Sequence, residues 1–266
     1  MIMGRFFDID SPIMRGLTRL ADVMWLNILT LIFALPLIIE QYVFLGAGVI
    51  MPLLTEGAKF DFDLFLSSLL WAWIFGIICS AILGPACTAM HYVLLKMVRD
   101  EDSYITKSYF KSFKENFKQG IILQIIKFAV GGMLVLDYFI ARKWNTIYAY
   151  VVIGMGIILY IASLYIFPIL SRFENKTRTT IKNSFLMAIL ALPRSFAMTV
   201  ISLMPVLVLY FFDLKALPLL IIIGFAGPSY VNAMLYSKTF KRFEPEEENL
   251  SEEEELNNAI KKLDEE

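Results

Sequence analysis

LFLSSLLWAWIFGIICSAILGPACTAMHYVLL, residues 64–95, runs for 32 positions without one charged side chain. As one straight helix it would extend ~48 Å against a bilayer hydrocarbon core of ~30 Å. It is therefore too long for a single unbroken span. Gly84-Pro85 lies two-thirds along it. A proline removes one hydrogen bond and clashes with the preceding turn, so a kink, or a break that leaves a half-helix, is expected there.

Similar apolar runs recur on both sides of this one. Working outward, the sequence predicts spans over about 23–45, 64–97, 119–140, 146–170, 193–212 and 216–236. With 58% hydrophobic and only 18% charged residues over 266 positions, the chain carries more apolar surface than one soluble core of that size buries. The fold class expected is all-α: a polytopic membrane helical bundle of about six transmembrane helices with interfacial amphipathic helices. Pro36 and Glu40-Gln41 fall in the outer half of the first span. The apolar stretch Tyr42 to Leu54 beyond them is left open between continuing the span, re-entering, or lying at the interface.

Charge sorts by position. Lys and Arg in the N-terminal arm, after the second and fourth spans, and at the start of the tail number seventeen, against four in the alternate loops (Lys59, Arg142, Lys143 and Lys215). By the positive-inside rule both termini are expected in the cytoplasm of a multi-pass cell-membrane protein. Residues 1–22 read as an amphipathic cytoplasmic arm, with Asp10-Ser11-Pro12 as a helix start and Ile13, Leu17 and Leu20 recurring at helical spacing along the inner surface. Residues 23–237 form the bundle, and residues 238–266 an acidic tail. Of the net charge, 1–243 hold +8 and 244–266 hold −9. In the tail, Ser251 and Glu254 set up a capping box ahead of Leu256, Ala259, Ile260 and Leu263. The N-terminus lacks the apolar core and cleavage pattern of a removable signal peptide. Trp25, Trp71, Trp73 and Trp144 fall mostly near span ends, as interfacial anchors do.

An offset of 143 residues relates Gly84-Pro85 to Gly227-Pro228, and Arg99-Asp100-Glu101 to Arg242-Phe243-Glu244. Both Gly-Pro pairs are candidate helix breaks.

The most ordered polar pattern lies between the second and third spans. At ~100° per residue, Tyr109, Phe110, Phe113 and Phe117 occupy one arc of a helix, and Lys107, Lys111, Lys114 and Lys118 the adjacent one. Such a helix either lies at the interface, with lysine stems along lipid and ammonium groups among anionic headgroups, or presents a cytoplasmic docking face. No nucleic-acid recognition fold surrounds these lysines, so nucleic acid is not an expected partner.

Inside the spans, Lys127 stands eight residues into the third, ~12 Å along its axis. It either snorkels to the interface or joins Gln124 and Asn27 in a polar lining. Cys87 and His91 stand four apart on one helical face, but there is no second histidine in the chain and no carboxylate nearby in sequence. Neither a metal nor a cofactor is expected. Phosphate-binding loops, nucleophile elbows and paired nucleophile and base are lacking, so no catalytic residue is assigned and an enzyme is not expected.

Gly4-Arg5-Phe6-Phe7 with Asp10 to Arg15, the run Gly84 to Glu101, and the run Lys107 to Gln119 together resemble the YesL-like family of bacterial membrane proteins, a domain family of unknown function. The likeness is specific over residues 1–40 and 84–120 and looser to about residue 236. Leu37 to Leu83 separates two elements that the family usually places close together. The resemblance implies a small multispan protein of Gram-positive bacteria encoded beside sugar-uptake and glycan-degradation systems. It supplies no catalytic residues. The function expected is an accessory or regulatory component associated with carbohydrate uptake, with a sugar-transporter component as partner. The alternative is an autonomous small-solute carrier or channel using polar groups inside the bundle.

Overall fold

The computed structural model describes residues 12–51, 55, 60–101 and 104–243. The expected helix-start role of Ser11, the expectations for residues 52–54, and the capping-box helix of the acidic tail lie outside these residues. Among the described residues every regular element is helical.

Helix α1 (Pro12–Leu45) is 34 residues long, ~51 Å, and continues unbroken through Pro36. The arm expected to lie along the surface as a separate helix is thus the first third of α1, with no break at residues 22–23. Past Leu45 the chain widens into a π-helical turn, Gly46–Ile50. That turn packs on α2 (Phe62–Ser80), whose first amides are capped by Asp61: its carboxylate accepts from Asp63 N at 2.9 Å and Leu64 N at 3.1 Å.

The long apolar run breaks, but not at the proline. Helix α2 ends at Ser80, Ala81-Ile82 form the turn, and α3 (Leu83–Val98) restarts with Gly84-Pro85 as its second and third residues. The first four N–H groups of a helix have no intrahelical acceptor, so a proline in the first turn costs α3 nothing. Helix α3 then sits at the centre of the molecule, packed against α1, α4, α5, α6 and α10, where Met90, Val93 and Leu94 are fully enclosed. Its close contact with α5 depends on two glycines. A Cβ on Gly84 would fall on the Gly120 carbonyl oxygen, and one on Gly120 would lie 2.7 Å from Pro85 N.

Helices α4 (Ile105–Glu115) and α5 (Phe117–Trp144) follow, and α5 turns at Asn145 into α6 (Thr146–Arg172). Asn145 caps that turn, its side-chain oxygen accepting from Ile147 N at 2.9 Å. The chain continues as α7 (Thr177–Leu190), α8 (Leu192–Phe212), a 3-10 turn at Asp213–Ala216, α9 (Leu217–Ile223) and α10 (Ala226–Phe240). The sixth expected span is therefore two helices, bent by 45° ahead of Gly227-Pro228. The second Gly-Pro pair again occupies positions two and three of a helix, and the two helices so begun, α3 and α10, pack on each other.

Among the described residues, helices α1, α2, α5, α6 and α8 are each long and apolar enough to cross a membrane, and the bent pair brings the number up to six. Their outward faces carry exposed Ile157, Ile158, Val206 and Leu207, a surface suited to lipid. The segments richest in Lys and Arg meet at one end of the bundle. There Arg19 pairs with Asp100, Gln119 donates to the Asn175 carbonyl at 2.6 Å, Arg194 donates to the Thr239 hydroxyl at 2.9 Å, and the Phe173 and Phe240 rings meet. The other end holds Phe65 against Phe139 and Lys143 over the Phe62 ring. Trp73 is not an interfacial anchor: its indole N–H donates to the Ala129 carbonyl at 3.0 Å and ties α2 to α5.

Candidate functional site

The sequence leaves Lys127 between snorkelling to the interface and sharing a lining with Gln124 and Asn27, and the structure separates Asn27 from the other two. Asn27 of α1 belongs to the α9–α10 break. A helix interrupted in an apolar setting leaves free N–H and C=O groups that water cannot reach. The Asn27 amide meets both needs, its Nδ2 donating to the Ile221 carbonyl at 2.7 Å while its Oδ1 accepts from Phe225 N at 2.8 Å and Ala226 N at 2.7 Å. It is fully buried and acts as the cap of a helix on another element. Gln124 and Lys127, in contrast, share a mostly apolar cavity of about 320 Å³ with Gln41 and Trp73, between α2 and α5.

Lys127 also faces a second, more polar cavity of about 330 Å³. It is walled by α3, α5, α6, α8 and α10, with the α9–α10 break at its edge. Cys87 and His91 enter from α3, Tyr160, Ser163 and Phe167 from α6, Ser202 from α8, and Ser229 and Asn232 from α10. The α9–α10 break contributes to this space: the two helices meet at 45°, and Gly224, Phe225 and Pro228 stand at the cavity's edge.

Several lining groups already have partners. His91 Nδ1 and the Tyr236 hydroxyl share a hydrogen bond of 3.2 Å, and Ser163 donates to the Tyr160 carbonyl at 2.8 Å. Asn232 donates through Nδ2 to the Ser202 hydroxyl at 2.8 Å, and its Oδ1 has no partner. The Lys127 ammonium lies 5.2 Å from the Phe167 ring centroid, a cation–π contact, and no carboxylate among the described residues pairs with it. Among the described residues no group of three His, Cys, Asp or Glu side chains is arranged to hold a metal ion.

The sequence pointed to Lys127 and to the Gly-Pro breaks, and missed Ser163, Ser202, Ser229 and Asn232. Single serines and asparagines in apolar helices give no signal of their own. They matter only when three helices bring them together, and the helical period of each alone cannot show that.

The lysine-aromatic segment forms α4 as far as Glu115, with Phe117 and Lys118 opening α5, and the inner part of its aromatic arc packs on protein. Tyr109 is fully buried, and Phe113 stacks on Phe33 of α1 with centroids 4.7 Å apart. Phe110 and Phe117 remain partly exposed at the edges of this seam. Apolar periodicity is the same whether the face meets lipid or protein, and Phe33 supplied the protein alternative. Lys107, Lys111, Lys114 and Lys118 all point outward, with Lys111 within 4.0 Å of Glu115. Tyr104, Phe110 and three of these lysines, 107, 111 and 114, border an open groove.

Residues 64–138 match the model of a family described as Protein of unknown function, DUF624. That segment carries α2, α3, α4 and most of α5, so it includes Gly84-Pro85, the lysine face, Gln124 and Lys127. No curated protein and no solved structure matches the chain.

Proposed function

We propose that this multispan protein binds a small solute inside its bundle and conducts or carries it across the membrane. The observation that carries the reading is the cavity around Lys127, where the α9–α10 break meets polar side chains from α3, α6, α8 and α10. Broken helices and charged groups inside a bundle are the usual furniture of solute pathways, because irregular backbone at membrane depth is tolerated where it lines a cavity. Swelling of proteoliposomes in isosmotic glycerol, glucose and sodium gluconate tests it. Swelling in at least one solute, slowed by Lys127→Ala, supports the reading. Flux through the wild-type chain equal to that of empty vesicles in all three overturns it.

A second reading has its own support. The outward lysine row of α4 beside an open groove suits a partner that docks on the cytoplasmic face, as an accessory or regulatory component of carbohydrate uptake would require. We place this reading with the YesL-like resemblance, whose second segment, 84–120, falls within the matched residues 64–138. Purification in mild detergent from the native membrane is its test: a transporter component recovered in stoichiometric amount, and lost from a Lys107→Glu, Lys111→Glu, Lys114→Glu chain, is the expected result. Recovery of the chain alone overturns it.

A further inference from the structure

We infer that the cavity takes a small polyhydroxylated carboxylate, an organic monoanion whose charge pairs with Lys127 and whose hydroxyl groups donate to Asn232, Ser163 and Ser229. This rests on the solute-binding reading and names its ligand class.

The argument starts from what the cavity has and lacks. It holds one cationic side chain, Lys127, and no carboxylate among its lining residues. An ammonium inside a bundle is costly unless an anion or several acceptors face it, and the Phe167 ring offsets only part of that cost. The missing charge is therefore supplied by what enters. A single cation matches a single negative charge, which disfavours diphosphates and other polyanions, and it repels amines.

The hydrogen-bonding groups then select the rest of the ligand. Asn232 is 5% exposed and its Oδ1 is an acceptor with no donor, an arrangement that is costly when left unfilled. Ser163 gives its proton to the Tyr160 carbonyl and Ser229 gives its proton to the Phe225 carbonyl, both at 2.8 Å, so each turns oxygen lone pairs to the cavity. Ser202 accepts from Asn232 and is engaged with the Tyr160 hydroxyl, so it adds no free group of its own. Three acceptors beside one cation call for a molecule with several O–H donors and one carboxylate. At about 330 Å³ the cavity is at the small end of ligand pockets, ~300–1,000 Å³, and takes a monomer rather than an oligomer.

The test uses the full chain in phosphatidylcholine nanodiscs, where no anionic headgroup competes, and calorimetric titration with three probes. Gluconate has the charge and the hydroxyls, glucose the hydroxyls without the charge, and propionate the charge without the hydroxyls. Gluconate is expected to bind more tightly than either by at least about tenfold. Lys127→Gln should bring its affinity down to that of glucose, and Lys127→Arg should retain most of it. Asn232→Leu should weaken gluconate about tenfold and leave propionate unchanged, so the inference stays testable if Lys127→Gln does not fold. Glucose binding equal to gluconate, unaffected by Lys127→Gln, overturns the ligand class while the solute-binding reading stands. Binding of none of the three, together with absence of flux in the vesicles, removes both.

Discussion

Asn27 and Asn232 are the same side chain put to different uses. The Asn27 amide has every group it needs: one carbonyl to donate to and two N–H groups to accept from, all on the α9–α10 break. Asn27→Leu would strand those three backbone groups in an apolar surrounding, and a loss of about 2–4 kcal/mol follows from the cost of unsatisfied buried polar groups. A lowered thermal midpoint in detergent, larger than that of Asn232→Leu, is the expected result. A midpoint within a degree of wild type would show that the break does not depend on Asn27. Asn232 makes one bond and leaves one atom over, so its removal costs the fold less and ligand binding more. A lone asparagine in an apolar run reads identically in both positions. Only the geometry of the helices around it separates a cap from a binding group.

At the scale of the elements, the bundle depends on how close α3 can come to α5. The Gly84 and Gly120 backbones touch, so Gly84→Ala forces the helices apart, at about 1–3 kcal/mol for overpacking. Gly156→Ala on α6, with open space around the new methyl, should be neutral, and the pair of thermal midpoints tests the claim. Helix α4 makes the converse case. Tyr109 and Phe113 hold it to α1, so Tyr109→Ala should cost about 3–5 kcal/mol, whereas Lys111→Ala should lie within about 0.5 kcal/mol of wild type. Equal effects from the two substitutions would return the aromatic arc to the lipid. Burial pushes the Tyr109 hydroxyl well above its ordinary range, which keeps it protonated and keeps this seam independent of pH over the physiological range. The helix existence and period of α4 were legible in residues 104–118. Its inward face was not, since lipid and a neighbouring helix reward the same pattern.

For the whole molecule, the Lys- and Arg-rich segments reach one end of the bundle through bonds that no single loop contains: Gln119 to Asn175, Arg194 to Thr239, Arg19 to Asp100. From the charge bias we propose that this end faces the cytoplasm. In a chain with Cys79→Ser and Cys87→Ala, a cysteine introduced at Lys111 should react with an impermeant maleimide only after the cells are opened, and one at Lys143 should react from outside. The reverse pattern would invert the topology.

The sequence alone determined that this chain is an all-α bundle with helices long and apolar enough to cross a membrane, and roughly where they run. Apolar runs of that length are candidates to span a bilayer, and their period and charge are local properties. It also placed proline-linked breaks near residues 84 and 227, though not the turns two or three residues earlier where the helices actually part. What only the tertiary structure decided is which polar groups share a space. Gly84 against Gly120 and α3 against α10 set an arrangement in which Lys127, Ser163, Ser202 and Asn232 meet around one cavity and Asn27 is drawn off to cap a break. Contacts between residues far apart in the chain depend on how helices cross, and no period within a single helix records that.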